Sequence, residues 1–142
     1  MGIQGLLQII KPCMQERDMS HFAGKTAAID IMVWLYKGAY SCSYELATGQ
    51  ATIEFLTYPL RMLRMLKTKG VKCICVFDGL HLAAKKQTEL DRIEYKRKNR
   101  EQGKDCDAQG DQEGAGKHFS RSLVLRTKMI DIFMDILKEL EI

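Results

Sequence analysis

The chain is predicted to adopt an α/β fold built on a parallel sheet, and three features carry that expectation. Residues 26–30 (Thr-Ala-Ala-Ile-Asp) and 73–78 (Cys-Ile-Cys-Val-Phe-Asp) are short apolar runs of strand length, each ending in an aspartate. The stretch between them, 31–69, repeats its apolar residues at helical spacing. A strand–helix–helix–strand order brings the chain back in the same direction, so the two strands are parallel.

The elements follow from local signals. Residues 1–10 form a short amphipathic segment with Ile3, Leu6, Leu7 and Ile10 in step, stopped near Pro12. Residues 14–24 are polar and irregular. After the first strand, 32–46 reads as one helix carrying Val33, Trp34, Leu35, Tyr36 and Ala39, ending near Gly49. Residues 52–67 read as a second, with Phe55, Leu56, Leu60, Leu63 and Leu66 on its buried stripe. Pro59 inside it predicts a kink or a late start. Gly70 suits a helix C-terminus. Beyond Asp78-Gly79 a basic helical pattern covers about 83–101, and 103–116, rich in Gly, Asp and Gln, reads as a mobile loop. A last helix runs from about His118, its stripe of Phe119, Leu123, Ile130, Phe133, Leu137 and Leu140 interrupted by Arg126. Parallel sheets want more strands and cover on both faces, so the sequence is expected to continue past residue 142.

A chain of 142 residues is one domain or part of one, and 46% apolar content excludes wholesale disorder. No apolar run approaches the roughly 20 residues that span a bilayer. The start lacks a secretory signal's pattern, and Leu6 stands where myristoylation needs Ser or Thr. The expectation is a soluble intracellular protein. Its five cysteines, at 13, 42, 73, 75 and 106, fit no disulfide framework and imply a reducing compartment. Cys73 and Cys75 face one side of their strand and read as core thiols; a metal pair is the alternative, without a second Cys or His pair to complete it.

The net charge is +4, and its placement matters more than its size. Residues 80–104 hold eight basic side chains (Lys85, Lys86, Arg92, Lys96, Arg97, Lys98, Arg100 and Lys104) against four acidic ones (Glu89, Asp91, Glu94 and Glu101). The remaining 14 of each sign cancel. This excess begins just after the second aspartate and would draw a phosphate backbone toward it.

Ligands of open parallel sheets gather outside the carboxyl ends of the strands, where Asp30 and Asp78 fall. Two carboxylates there suit a hard divalent cation such as Mg²⁺. A two-metal phosphodiester cleavage needs more acids than these two. The bland alternative is that each aspartate caps the helix after it. Lys85 and Arg92 are seven apart and share a helix face that Lys96 extends, so two cations could meet one phosphate; the alternative is a solvated helix surface. Asp105, Asp107 and Asp111 read as solvated, Asp131 and Asp135 as a plain polar face, and His21, His81 and His118 lie in unrelated contexts. Trp34 reads as core, whereas Tyr36 could stack on a base or a sugar.

Met1-Gly-Ile-Gln-Gly-Leu-Leu7, Ala28-Ile-Asp30, Trp34-Leu-Tyr-Lys-Gly-Ala39 and Val76-Phe-Asp-Gly79 together resemble the N-terminal region of the flap-endonuclease family of 5′ nucleases. Trp34 to Ala39 with Ser41-Cys42 looks most like its mismatch-repair 5′→3′ exonuclease branch. The likeness runs from Met1 to about Lys104 and resumes at His118-Phe-Ser-Arg-Ser122. It implies the N-terminal half of a parallel-sheet, PIN-like 5′ nuclease core. Residues 1–79 would form the strand–helix–helix–strand unit, 80–116 a basic arch helix and loop, and 117–142 a helix leading toward a further half. It implies Mg²⁺-dependent hydrolysis of DNA bearing a 5′ end, nick or flap, in DNA repair and in the nucleus. Asp30 and Asp78 fall on metal-site carboxylates, and Lys85 and Arg92 on the two arch residues that reach the scissile phosphate. Gly2 falls near the DNA junction. Tyr36 and Met32 stand where the branch usually has His and Tyr, and Ala83-Ala84 precede Lys85 where the family has a proline nearby. The family's second acidic cluster would begin beyond Ile142, so these residues alone are expected to be inactive. Two rivals stand: a non-catalytic DNA-binding or scaffold module, and a receiver-like domain phosphorylated on a strand-end aspartate, which the basic helix argues against.

Overall fold

The computed structural model describes residues 3–79 and 86–141. It is a mainly helical domain around a small parallel sheet. Strands β1 (Thr26–Asp30) and β2 (Lys72–Val76) pair in parallel, with Thr26 opposite Lys72 and Asp30 opposite Val76. No other strand is present among the described residues. The second strand stops at Val76, so Asp78 lies two residues past the sheet rather than at its last rung.

The N-terminal helix α1 (Leu6–Ile10) is a single exposed turn and a half followed by a 3₁₀ turn containing Pro12, and its apolar stripe meets no core. The predicted 32–46 helix is two: α2 (Ile31–Tyr40) and α3 (Ser43–Thr48). The break has a local cause. Ser41 Oγ donates to the Gly38 carbonyl at 2.7 Å, and Cys42 Sγ lies 3.7 Å from the Ala39 carbonyl, so side chains take up acceptors of the last turn. The next helix starts late, as Pro59 predicts: a 3₁₀ turn at Glu54–Leu56 leads into α4 (Thr57–Thr68), with Pro59 in the first turn, where a missing N–H costs no intrahelical bond. At its end Gly70, at φ +75°, closes a Schellman motif through Gly70 N–H to Lys67 O and Val71 N–H to Leu66 O.

The second half departs further from expectation. The basic helix α5 (Lys86–Ala108) continues through Gly103, and α6 (Gln112–Arg121) replaces the expected loop. Three residues make the connection. Gly110, at φ +80°, ends α5 with Asp111 N–H bonded to Cys106 O, and the Asp111 carboxylate then accepts from Gly114 N–H to cap α6. The composition that reads as mobile loop is therefore the punctuation of a helical hairpin. The single last helix is also two. Ser122 Oγ bonds the Phe119 carbonyl at the end of α6, and α7 (Thr127–Glu139) begins after Arg126, the residue that interrupts the stripe and here stands extended.

The core lies between the sheet, α2, α4 and α7. Ile31, Leu35, Leu63 and Phe133 are essentially inaccessible, and Cys73 and Cys75 pack against this cluster. Burial pushes both thiols up from their ordinary pKa, as befits core residues. Gly38 lets α2 approach the 3₁₀ turn: a Cβ there would fall on the Phe55 carbonyl. The outer face of β2 stays open, with Ile74 and Val76 exposed. No helix among the described residues is long and apolar enough to cross a membrane.

Candidate nucleic-acid interface

The sheet places two carboxylates at one end. Asp30 closes β1 and occupies the N-cap position of α2, yet its side chain makes no capping bond. Asp78 follows the same end of β2, and both residues are exposed. Neither has a hydrogen-bond or ion-pair partner among the described residues. The capping alternative is therefore not what occupies Asp30. Two carboxylates beside a helix N-terminus fit the ligand chemistry of a hard cation. They do not complete a site: no group of three His, Cys, Asp or Glu side chains able to hold a metal occurs among the described residues. Lys85 and Gly2 lie outside the described residues.

The other predicted residues meet at a groove. Tyr36 sits six residues along α2 from Asp30, about 9 Å of helical rise. Over its ring lies Lys96 of α5, Nζ 5.2 Å from the ring centre and 3.5 Å from the Tyr36 hydroxyl. Arg92, one turn earlier on α5, lines the same hollow of about 330 Å³. The structure thus brings Tyr36, Arg92 and Lys96 together. It adds Tyr40, Tyr95 and Arg121, which sequence reasoning missed. The spacing Tyr36–Tyr40 and Arg92–Tyr95–Lys96 carries a signal for the first two, since residues three and four apart share a helix face. Arg121 lies in the His118–Ser122 segment of the family resemblance, but nothing signalled its place in this groove, which it reaches only through the α5–α6 hairpin. Three cations around three aromatic rings in an open groove can hold phosphates by charge and bases by stacking.

Not every cation of α5 is available in this way. Arg97 donates to Glu94 at 2.9 Å and to Glu101 at 2.7 Å, and Lys98 lies 3.7 Å from Glu94. Arg97 holds the Glu94 carboxyl below its ordinary pKa, so that pairing persists at neutral pH. Among the remaining candidates, Asp107 accepts from the Tyr44 hydroxyl at 2.7 Å, Asp135 pairs with Lys138, and His118 meets Asn99 at 3.1 Å. His81 lies outside the described residues. Trp34 is half-buried and meets the Tyr58 ring edge-on.

The chain is similar in sequence to known proteins. The XPG N-terminal domain family model matches residues 1–102. Exonuclease 1 of Danio rerio is 39% identical over 129 residues, covering 91% of this chain and 16% of that protein. Exonuclease 1 of Xenopus laevis is likewise 39% identical over 129 residues, covering 91% of this chain and 18% of its own length. Exodeoxyribonuclease 1 of Schizosaccharomyces pombe is 37% identical over the same span, 91% of this chain and 23% of that protein. The chain spans less than a quarter of each of these curated relatives. The chain belongs to the XPG N-terminal domain family of 5′ nucleases, on its exonuclease 1 branch.

Proposed function

We propose that this chain is the N-terminal part of a Mg²⁺-dependent 5′→3′ DNA exonuclease or flap endonuclease that works in DNA repair in the nucleus, built on a PIN-like core with α5 as its arch. The observation that carries the proposal is the pair of carboxylates, Asp30 and Asp78, at one end of the sheet and without partners among the described residues, with the cation–tyrosine groove one helix away. Asp30 and Asp78 would hold Mg²⁺, which when bound supplies a Lewis acid for the phosphate and lowers the pKa of water. Arg92, with Lys85, holds the scissile phosphate and meets the charge that develops on it. Lys96 and Tyr36 steer the 5′ strand, the lysine by charge and the ring by stacking. Gly2 would lie at the DNA junction. Substrates are DNAs with a 5′ end, nick or flap.

The test is cleavage of a 5′-recessed duplex by a form of the protein competent for turnover. Asp78→Ala is expected to abolish Mg²⁺-dependent cleavage while DNA binding persists, and unchanged turnover would remove Asp78 from the site. Arg92→Ala is expected to slow single-turnover cleavage by about 10²-fold. One observation favours a second reading for residues 1–142 taken by themselves: no third metal-type ligand joins the two aspartates among the described residues. On that ground this stretch alone would bind DNA without cutting it, and Mg²⁺-dependent cleavage by the 142-residue chain would overturn that reading.

A further inference from the structure

The groove is not the only place where cations rest on a ring. On the other side of α2, Lys37 Nζ lies 5.5 Å from the centre of the Tyr58 ring and Arg61 Cζ lies 5.6 Å from it. Trp34 meets the same ring edge-on, centroids 6.4 Å apart. Lys37, Arg61 and Arg64 are exposed, and none has a carboxylate partner among the described residues. The local sequence explains why: residues 31–44 around Lys37 contain no acidic side chain, and residues 55–77 contain five basic side chains and no acidic one.

A cation held on an aromatic face is oriented without being neutralised. That separates Lys37 and Arg61 from Arg97, whose charge is already answered by two glutamates. Two like charges converging on one ring repel each other, and a bound anion relieves the repulsion. At 100° per residue, the exposed arc of α2 runs in the order Tyr36, Tyr40, Val33, Lys37, Trp34. Tyr40 of the groove and Lys37 of this patch are about 60° apart around one helix. The two cation–ring clusters are therefore neighbours across the outer face of α2.

We propose that Lys37 and Arg61, oriented by Tyr58 and joined by Arg64, form a second contact for the DNA sugar-phosphate backbone, continuing the strand's path from the α5 groove over α2 onto α4. This rests on the nuclease reading for its ligand, and the experiment separates the two. Fluorescence anisotropy of the 142-residue chain is measured with a labelled 5′-overhang duplex, and with a single strand of the same length, across a salt series. The double variant Lys37→Gln/Arg61→Gln is expected to bind about tenfold more weakly and to lose about two from the slope of log K against log salt, since each phosphate contact contributes roughly 0.9. Arg61→Lys retains the slope. Both substituted residues are exposed, and an unchanged far-UV circular dichroism spectrum excludes a folding artefact. A larger loss with the duplex than with the single strand assigns the patch to the duplex flank, and the reverse assigns it to the overhang. Unchanged affinity and slope in the double variant, while Arg92→Ala/Lys96→Ala weakens binding, overturn the second contact and leave the groove standing. Absence of salt-dependent binding by the unsubstituted chain overturns both.

Discussion

The apolar cluster beneath the sheet and the α5–α6 hairpin differ in what holds them. In the first, Ile31, Leu35, Leu63 and Phe133 are fully enclosed, and many non-directional contacts share the work. In the second, α5 runs for 23 residues yet buries only Asn99 and Gly103. It is held by a few specific contacts instead. Gly103 lies against the Phe119 ring, Asn99 bonds His118, Tyr44 donates to Asp107, and Arg100 reaches the Ala47 carbonyl. An element with few buried apolar contacts opens at lower free energy than the core it leans on. That element carries Arg92, Lys96 and Arg121, whereas Asp30 closes the sheet and Asp78 follows two residues past it. The cationic arm is therefore expected to open locally before the core unfolds.

The largest effect expected from breaking this contrast is on the core side. Phe133 is inaccessible and its ring meets Phe77 at a centroid distance of 6.5 Å. Phe133→Ala is expected to cost about 3–5 kcal/mol, out of a total stability of roughly 5–15 kcal/mol for a domain of this kind. Chemical denaturation should show the whole chain, hairpin included, unfolding at much lower denaturant. A loss below about 1 kcal/mol would mean that α7 is not part of what supports the sheet.

The same contrast governs what was legible in the sequence. The late start of α4 at Pro59 and the Gly70 terminus are decided by residues adjacent in the chain, and the parallel sense of the sheet follows from the long helical crossover between its strands. The grouping of Tyr36 with Arg92 and Lys96 was half legible: Arg92 and Lys96 announce a shared face, but only the fold brings Tyr36 under Lys96. The hairpin was not legible. Gly110 and Asp111 signal a chain reversal, and the same residues serve a long loop or a tight helix–helix junction; Phe119 against Gly103, far apart in sequence, decides between them. Lys37 and Arg61 were overlooked for a similar reason. They stand on separate helices, and what marks their surroundings is the absence of acids rather than a density of charge.

A smaller effect, confined to the hairpin, sharpens the comparison. A Cβ at Gly103 would come within 2.6 Å of the Phe119 ring. Alanine gains about 0.5–1 kcal/mol over glycine in a helix interior, while overpacking costs about 1–3 kcal/mol, so Gly103→Ala is expected to destabilise by about 1–2 kcal/mol. Amide hydrogen exchange should accelerate along α5 and α6 and remain slow in α2 and α4. Equal acceleration everywhere would show that the two regions unfold as one and that the contrast is false.

The smallest effect tests a single polar clip and has a pH signature. The Tyr44 hydroxyl donates to the Asp107 carboxylate, and this bond, followed by burial, raises the phenol above its ordinary pKa of 10.0. A group whose folded pKa is raised stabilises the fold while protonated, so the contribution is complete below pH 10.0 and is lost as pH climbs through the raised value. Deprotonation would set a phenolate against a carboxylate and push α5 away from α3. Tyr44→Phe removes the clip at every pH. The unsubstituted chain should therefore melt modestly higher near neutrality, and the gap should close and then reverse above the phenol's raised pKa, where repulsion replaces the bond. Because the other titrating groups are common to both proteins, their contributions cancel in the difference. A gap that stays constant through that range would mean the Tyr44–Asp107 bond does not help to hold the arm in place.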